Sequence, residues 1–243
     1  MRLMLRFLCT TVIAVTVTAA VDAQRAPGPG DARLRAQRLA MVQRHIAGEG
    51  IRDSATLRAM REVPRHEFVP ARFRNEAYEN HPLPIGLGQT ISQPYIVAYM
   101  TEIVKPRPGM RVLEVGTGSG YQAAVLAATG VEVYTIEIFR ELAESASARL
   151  KRLGYRGVTV RHADGHYGWP DVAPFDAIVV TAAAGHIPPA LTRQLSRGGR
   201  MIIPVGSVYG AQYLILVEKD SKGVLRTRNL LPVMFVPMLK GPR

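Results

Sequence analysis

Apolar and polar positions give the 243-residue chain three distinct textures. Residues 7–20 run apolar without a single charge, behind Arg2 and Arg6. From residue 31 to 46 the rhythm becomes helical: Leu34, Leu39, Val42 and Ile46 recur on one face, with Asp31 placed to cap the start. Asp53 predicts the cap of a second helix reaching Met60. Residues 75–93 carry Tyr78, Pro82, Pro84, Gly86 and Gly88, which break any period, so they read as loop. Pro94 suits the first turn of a helix extending to about residue 104.

After Pro108-Gly109 short apolar runs alternate with helical stretches. Strands are predicted at 112–115, 131–136, 158–161, 177–180 and 201–205, with helices at 120–128, 139–153 and 189–195 between them. Alternation of this kind implies a parallel sheet with right-handed crossovers. Two later strands, 213–217 and 225–230, read as an antiparallel edge pair. The fold class expected is α/β, a doubly wound and mostly parallel sheet with a helical N-terminal extension. Ligands in such sheets bind beyond the carboxyl ends of the strands, at the switch point.

The first texture is a different object. A basic start, an uncharged apolar run of about 14 residues and small residues at Val21-Asp22-Ala23 form the layout of a secretory signal peptide, cleaved after Ala23. The run is shorter than the roughly 20 residues that span a bilayer. The organisation predicted is therefore a signal peptide at 1–23, a flexible Pro/Gly-rich leader at 24–30, an N-terminal helical segment at 31–107 and an α/β domain at 108–243. An exported, periplasmic location follows from the signal, with no stable membrane insertion after cleavage. An uncleaved anchor is the competing reading.

Charge and cysteine content change the picture little. Without residues 1–23 the chain loses Arg2, Arg6 and Asp22, and its net charge falls from +12 to +11. The excess favours acidic partners, yet it is scattered from Arg33 to Arg74 with no run of like charges. Cys9, the only cysteine, lies inside the signal, so the mature chain has neither a disulfide nor thiol chemistry. The six histidines show no metal-ligand spacing, and no metal is expected.

The strongest local signal for chemistry is Leu113-Glu114-Val115-Gly116-Thr117-Gly118-Ser119-Gly120-Tyr121. An apolar strand enters a glycine-rich turn and leaves as a helix, an arrangement that lets a ligand approach the backbone closely. The third glycine comes one residue earlier than in the dinucleotide fingerprint G-x-G-x-x-G. The spacing resembles the first motif of class I methyltransferases. Glu137 ends the next strand, 17 residues after Gly120, where a carboxylate accepts hydrogen bonds from both hydroxyls of a ribose. Asp164-Gly165 follow the third strand, where an adenine is held in methyltransferases. The stretch Val180-Thr181-Ala182-Ala183-Ala184-Gly185 lacks the polar D/N-P-P-Y/F signature of many nitrogen methyltransferases.

Five longer segments narrow the family. They are Val63-Pro64-Arg65-His66-Glu67-Phe68-Val69-Pro70, the run from Pro84 through Gln89-Thr90-Ile91-Ser92-Gln93-Pro94 to Tyr95, Tyr121-Gln122-Ala123-Ala124-Val125-Leu126-Ala127, the run from Phe175 to Ala184, and the run from Gly198 to Gly206. Together, and in order over about residues 35 to 238, they resemble the protein-L-isoaspartate O-methyltransferases. The resemblance implies methyl transfer from S-adenosylmethionine, leaving S-adenosylhomocysteine, to the free α-carboxylate of isoaspartyl residues in damaged proteins and peptides. It assigns Ser92 as the catalytic residue. It assigns Thr90, Ile91, Glu114, Gly116, Gly118, Gly120, Glu137, Ile138, Asp164 and Gly165 to the cofactor. On its residues alone, Ser92 reads rather as the cap of the helix opened by Pro94. The chain departs from the family at Met234, where an arginine is usual; Met234 taken alone reads as a filler of the core. Two rival functions remain at this point: an exported non-enzymatic binding protein on the same fold, and a methyltransferase for another acceptor such as RNA, prompted by the charge but not favoured.

Overall fold

The computed structural model describes residues 29–207 and 210–241. The segment read as a signal peptide, and residues 24–28 of the leader, lie outside these. Pro29 and Gly30 already belong to helix α1 (Pro29–Val42), which continues as a π-helical turn through Ala47. Asp31 therefore sits within the first turn, where its charge suits the helix dipole, and does not cap it.

Helix α2 (Ser54–Glu62) starts as expected, with the Asp53 carboxylate accepting from Thr56 N at 2.7 Å. Two short 3₁₀ turns follow, Arg65–Phe68 and Ala71–Glu76. The region read as loop then holds a hairpin, β1 (Leu83–Gly86) and β2 (Gln89–Ile91). Its prolines and glycines broke the alternation by which a strand is recognised, yet Leu83 and Ile91 are buried beneath it. Helix α3 (Pro94–Ile103) leaves the hairpin. Its Glu102 carboxylate accepts from Arg52 N at 2.7 Å and Asp53 N at 2.6 Å, tying α3 to the start of α2.

The remaining elements alternate: β3 (Arg111–Val115), α4 (Tyr121–Ala128), β4 (Glu132–Glu137), α5 (Arg140–Arg152), β5 (Val158–His162), β6 (Phe175–Val180), α6 (Pro189–Gln194), β7 (Leu195–Gly206), β8 (Gln212–Lys219) and β9 (Leu225–Val233). Among the described residues they build a seven-stranded sheet in the order β5-β4-β3-β6-β7-β8-β9. Pairing is parallel from β5 to β7 and antiparallel for β7-β8 and β8-β9. The class is the mostly parallel doubly wound α/β fold with helices ahead of it, as the alternation implied.

Burial follows the two-residue period of the strands. Val112, Val133, Ala177, Val179 and Ile202 face α3 and α4, packing with Met100, Val104 and Leu126. Leu113, Val115, Ile136, Ile178, Val180 and Met201 face the other way, towards Leu191 of α6 and Trp169. A third cluster joins Met41, Met60, Phe68 and Val97 of the N-terminal segment to Tyr121, Ala124 and Leu150 of α4 and α5. The N-terminal helices thus share a core with the sheet's own helices, and the hairpin is held over the carboxyl ends of β3 and β4.

Candidate active site

Strand order reverses between β3 and β6, and the crevice expected there is present. It is an open cleft enclosing about 760 Å³ of space, part of it continuous with solvent. The glycine turn after β3 forms its floor. Gly116 has φ +99°, and a Cβ there would lie 2.4 Å from Oγ1 of Thr181. Only glycine tolerates both. Thr181, just past β6, donates to the carbonyls of Val115 at 3.0 Å and Gly116 at 2.6 Å, so the two sides of the switch point are stitched together beneath the cleft.

Glu137, at the end of β4, lines the cleft while almost wholly buried. One carboxylate oxygen accepts from Gly118 N at 2.7 Å and the other from Phe139 N at 3.0 Å. Each oxygen retains a second lone pair for an incoming hydroxyl. Beside it Val115, Ile136, Ile138, Phe139, Met238 and Leu239 give an apolar wall, and Thr117, Ser119 and Gln122 a polar one. The segregation suits a nucleoside with hydroxyls and a charged amino-acid tail. S-adenosylmethionine has that shape, so the residues present fit it.

A second hollow, of about 580 Å³, adjoins the first. Thr90, Ser92, Thr181 and Val236 line both. Ser92 therefore stands in the wall between them. It does not cap α3: Gln93 occupies the cap position and makes no side-chain cap bond. Among the described residues the Ser92 hydroxyl has no hydrogen-bond partner, and so remains available to a ligand.

Residues 234–241 strap the cleft closed along one side. Ala183 N donates to the Val236 carbonyl and Met238 N to the Ala183 carbonyl, both at 2.8 Å. The buried Gln212 amide grips Phe235 at two points, accepting from its N–H at 2.7 Å and donating to its carbonyl at 3.2 Å. Farther along, Gly241 N donates to Asp164 at 3.0 Å. Met234 precedes the gripped residue and is 94% exposed, which corrects its reading as a core filler.

Of the residues singled out from sequence, Thr90, Ile91, Ser92, Gly116, Gly118, Glu137, Ile138 and Gly165 all line the cleft. Glu114, Gly120 and Asp164 are not in its lining, and each makes contacts of its own beside it. Gly120 caps α4, and its Cβ direction points at Leu150, 3.1 Å away. Asp164 uses its carboxylate on His166 and Gly241. Burial works to raise its pKa, but the hydrogen bonds from Gly241 and His166 prevail and hold it low. Glu114 lies fully buried behind the glycine turn and takes a hydrogen bond from the Thr135 hydroxyl, which also contacts the Thr117 hydroxyl at 2.7 Å. Burial pushes its pKa up to about 8. Conversely, Gln89, Thr181 and Phe139 were not foreseen as site residues. The first two lie within segments already recognised as distinctive, but their roles depend on contacts made across the sequence. Among the described residues no cluster of His, Cys, Asp or Glu is disposed to hold a metal.

Known proteins resemble this chain closely. The family described as protein-L-isoaspartate(D-aspartate) O-methyltransferase matches residues 36–242. A protein-L-isoaspartate O-methyltransferase 2 of Syntrophobacter fumaroxidans is 62% identical over 194 residues, covering 80% of this chain and 78% of its own. A protein-L-isoaspartate O-methyltransferase 1 of Cupriavidus necator is 54% identical over 224 residues, covering 92% and 86%. The crystal structure of a protein-L-isoaspartate O-methyltransferase from Plasmodium falciparum, in complex with S-adenosyl-L-homocysteine, superposes with a TM-score of 0.74 at 25% identity, over 84% of this chain and 99% of that one.

Proposed function

The chain belongs to the protein-L-isoaspartate(D-aspartate) O-methyltransferase family, and from that premise we propose that Ser92 orients the acceptor carboxylate at the wall between the two hollows. The reaction is methyl transfer from S-adenosylmethionine to the free α-carboxylate of an L-isoaspartyl residue, the step that initiates repair of the damaged protein. When bound, the cofactor supplies a methyl group already activated by the positive charge of its sulfur.

The protein's task is correspondingly one of placement. The glycine turn and Glu137 hold the cofactor from the sheet side, Glu137 receiving the ribose hydroxyls on its free lone pairs. Thr90 and Ile91 close over it from the hairpin. A carboxylate is ionised at neutral pH and is itself a nucleophile, so no general base is needed. What accelerates transfer is alignment of the attacking oxygen with the methyl group. A neutral hydroxyl such as Ser92 holds the carboxylate by one hydrogen bond without quenching its charge. The observation that carries this reading is the position of Ser92, shared by both hollows with its hydroxyl uncommitted. The second hollow has no Lys, Arg or His in its lining, which does not suit the phosphates of an RNA acceptor.

Paired substitutions test the division of labour. Ser92→Ala should lower kcat while calorimetry finds cofactor affinity within about twofold of the wild type. Glu137→Ala should weaken cofactor binding. A Ser92→Ala enzyme with unchanged turnover would contradict the role of Ser92, and wild-type cofactor affinity in Glu137→Ala would contradict that of Glu137.

We further propose that the enzyme works outside the cytoplasm, on the strength of the signal-like pattern in residues 1–23. N-terminal sequencing of the protein recovered from periplasmic and cytoplasmic fractions tests this. A periplasmic form beginning at Gln24 is expected; a cytoplasmic protein retaining Met1 would overturn it.

A further inference from the structure

The second hollow is an uncharged site with a mixed polar and apolar lining. Pro82, Phe235 and Val236 contribute apolar surface, Thr90, Ser92, Gln93 and Thr181 contribute uncharged polar groups, and no cation lines it in a chain of net charge +12. Met234 completes the lining, and its 94% exposure is far above that of any other large apolar side chain among the described residues; Val224 follows at 54%. An exposed methionine at one lip of a ligand hollow is an adaptable apolar contact surface, since its side chain is unbranched and polarisable. Here it is also held in place. The Gln212 amide grips both backbone groups of the next residue, Phe235, and Gln212 is itself buried. Backbone that is already fixed loses little freedom when a partner arrives.

We propose that Met234 is a specificity-determining residue, selecting isoaspartyl residues whose neighbours in the peptide carry apolar rather than acidic side chains. The proposal rests on the reading of the second hollow as the acceptor site. With the isoaspartyl carboxylate at Ser92, the adjoining peptide leaves the hollow across its lip. An apolar neighbour there covers Met234 and removes apolar area from water on both partners. An acidic neighbour gains no charge partner from the lining and loses hydration against methionine.

Three isoaspartyl peptides, identical except that the flanking residues are Leu, Ser or Glu, distinguish the outcomes when assayed by steady-state methyl transfer with the full-length protein. The wild type should favour Leu over Glu in kcat/KM by roughly five- to tenfold, the effect of partly burying one aliphatic side chain. Met234→Ser should abolish the advantage of Leu over Ser. Met234→Arg should raise kcat/KM for the Glu-flanked peptide above that for the Leu-flanked one. The exposure of Met234 leaves the fold indifferent to these changes, and a thermal melt of each variant verifies it. Equal use of the three peptides by the wild type, or an order of preference unchanged in both variants, would overturn the proposal while leaving the methyltransferase reading intact. Failure to methylate any isoaspartyl peptide would overturn both.

Discussion

At the scale of single residues, Gly116 and Thr181 show how narrow the tolerances of the cleft floor are. Gly116→Ala places a methyl 2.4 Å from Thr181 Oγ1 at a backbone φ of +99°, a strain of about 1–3 kcal/mol. The glycine turn must shift to relieve it, and Glu137 moves with the turn because it holds Gly118 N. Cofactor affinity measured by calorimetry should fall by roughly tenfold or more, and an affinity equal to the wild type would show that the turn does not seat the cofactor. Thr181→Val removes the hydroxyl that bonds both carbonyls while preserving shape, so it should weaken binding less than Gly116→Ala does. The glycines were legible in the sequence because their requirement is local: a strand, a tight turn and a helix occupy nine successive residues. Thr181 was not, because a threonine after an apolar strand is unremarkable until β6 is laid beside β3. Glu114 and Asp164 illustrate the opposite limit. Their positions in the motifs were recognised, but only packing reveals that Glu114 is fully buried outside the cleft lining and that Asp164 bonds His166 and Gly241.

At the scale of elements, three pieces of chain meet over the sheet: the hairpin, the strap and α4. Arg65 links two of them from a fully buried position. Its Nε donates to the Ala77 carbonyl at 2.8 Å, in the segment leading to the hairpin, and its guanidinium lies 4.8 Å from the ring centre of Tyr121, the first residue of α4. Burial lowers its pKa to about 10, so it remains charged at neutral pH. Arg65→Ala leaves the Ala77 carbonyl unpaired and a void beside Tyr121. The melting temperature should drop by roughly 5–15 °C, as expected for loss of a buried polar anchor in a chain of this size. A melting curve superimposable on the wild type would show that Arg65 anchors nothing. The helices and the parallel strands could be predicted from periodicity alone. The hairpin could not, since its pairing depends on turn chemistry at Gly86-Leu87-Gly88 rather than on alternation. The strap could not either, because residues 234–241 acquire their function only by bonding to Ala183, Gln212 and Asp164.

At the scale of the whole molecule, the balance of charge bears on stability as well as on partners. Glu114 is the carboxyl most altered by folding, its pKa raised to about 8 by burial, with Glu137 nearby adding to the effect. Its unfolded value is near 4.3. Folding therefore favours the protonated form, and the contribution of this group to stability is complete below about pH 4, falls as pH rises towards 8 and is lost above it. Glu114→Gln removes this dependence. The variant's melting temperature relative to the wild type should rise steadily between pH 5 and pH 8. A difference independent of pH would mean that Glu114 is ionised in the folded protein.

The same scale holds the central claim, that the two hollows joined at Ser92 carry a methyl group to isoaspartyl carboxylates. The most direct measurement is transfer of label from S-adenosylmethionine, by the purified protein, to a matched pair of peptides differing only in an isoaspartyl or a normal aspartyl residue. Label on the isoaspartyl peptide alone is the predicted result. Equal label on both peptides, or none on either from a protein that binds the cofactor, would contradict it.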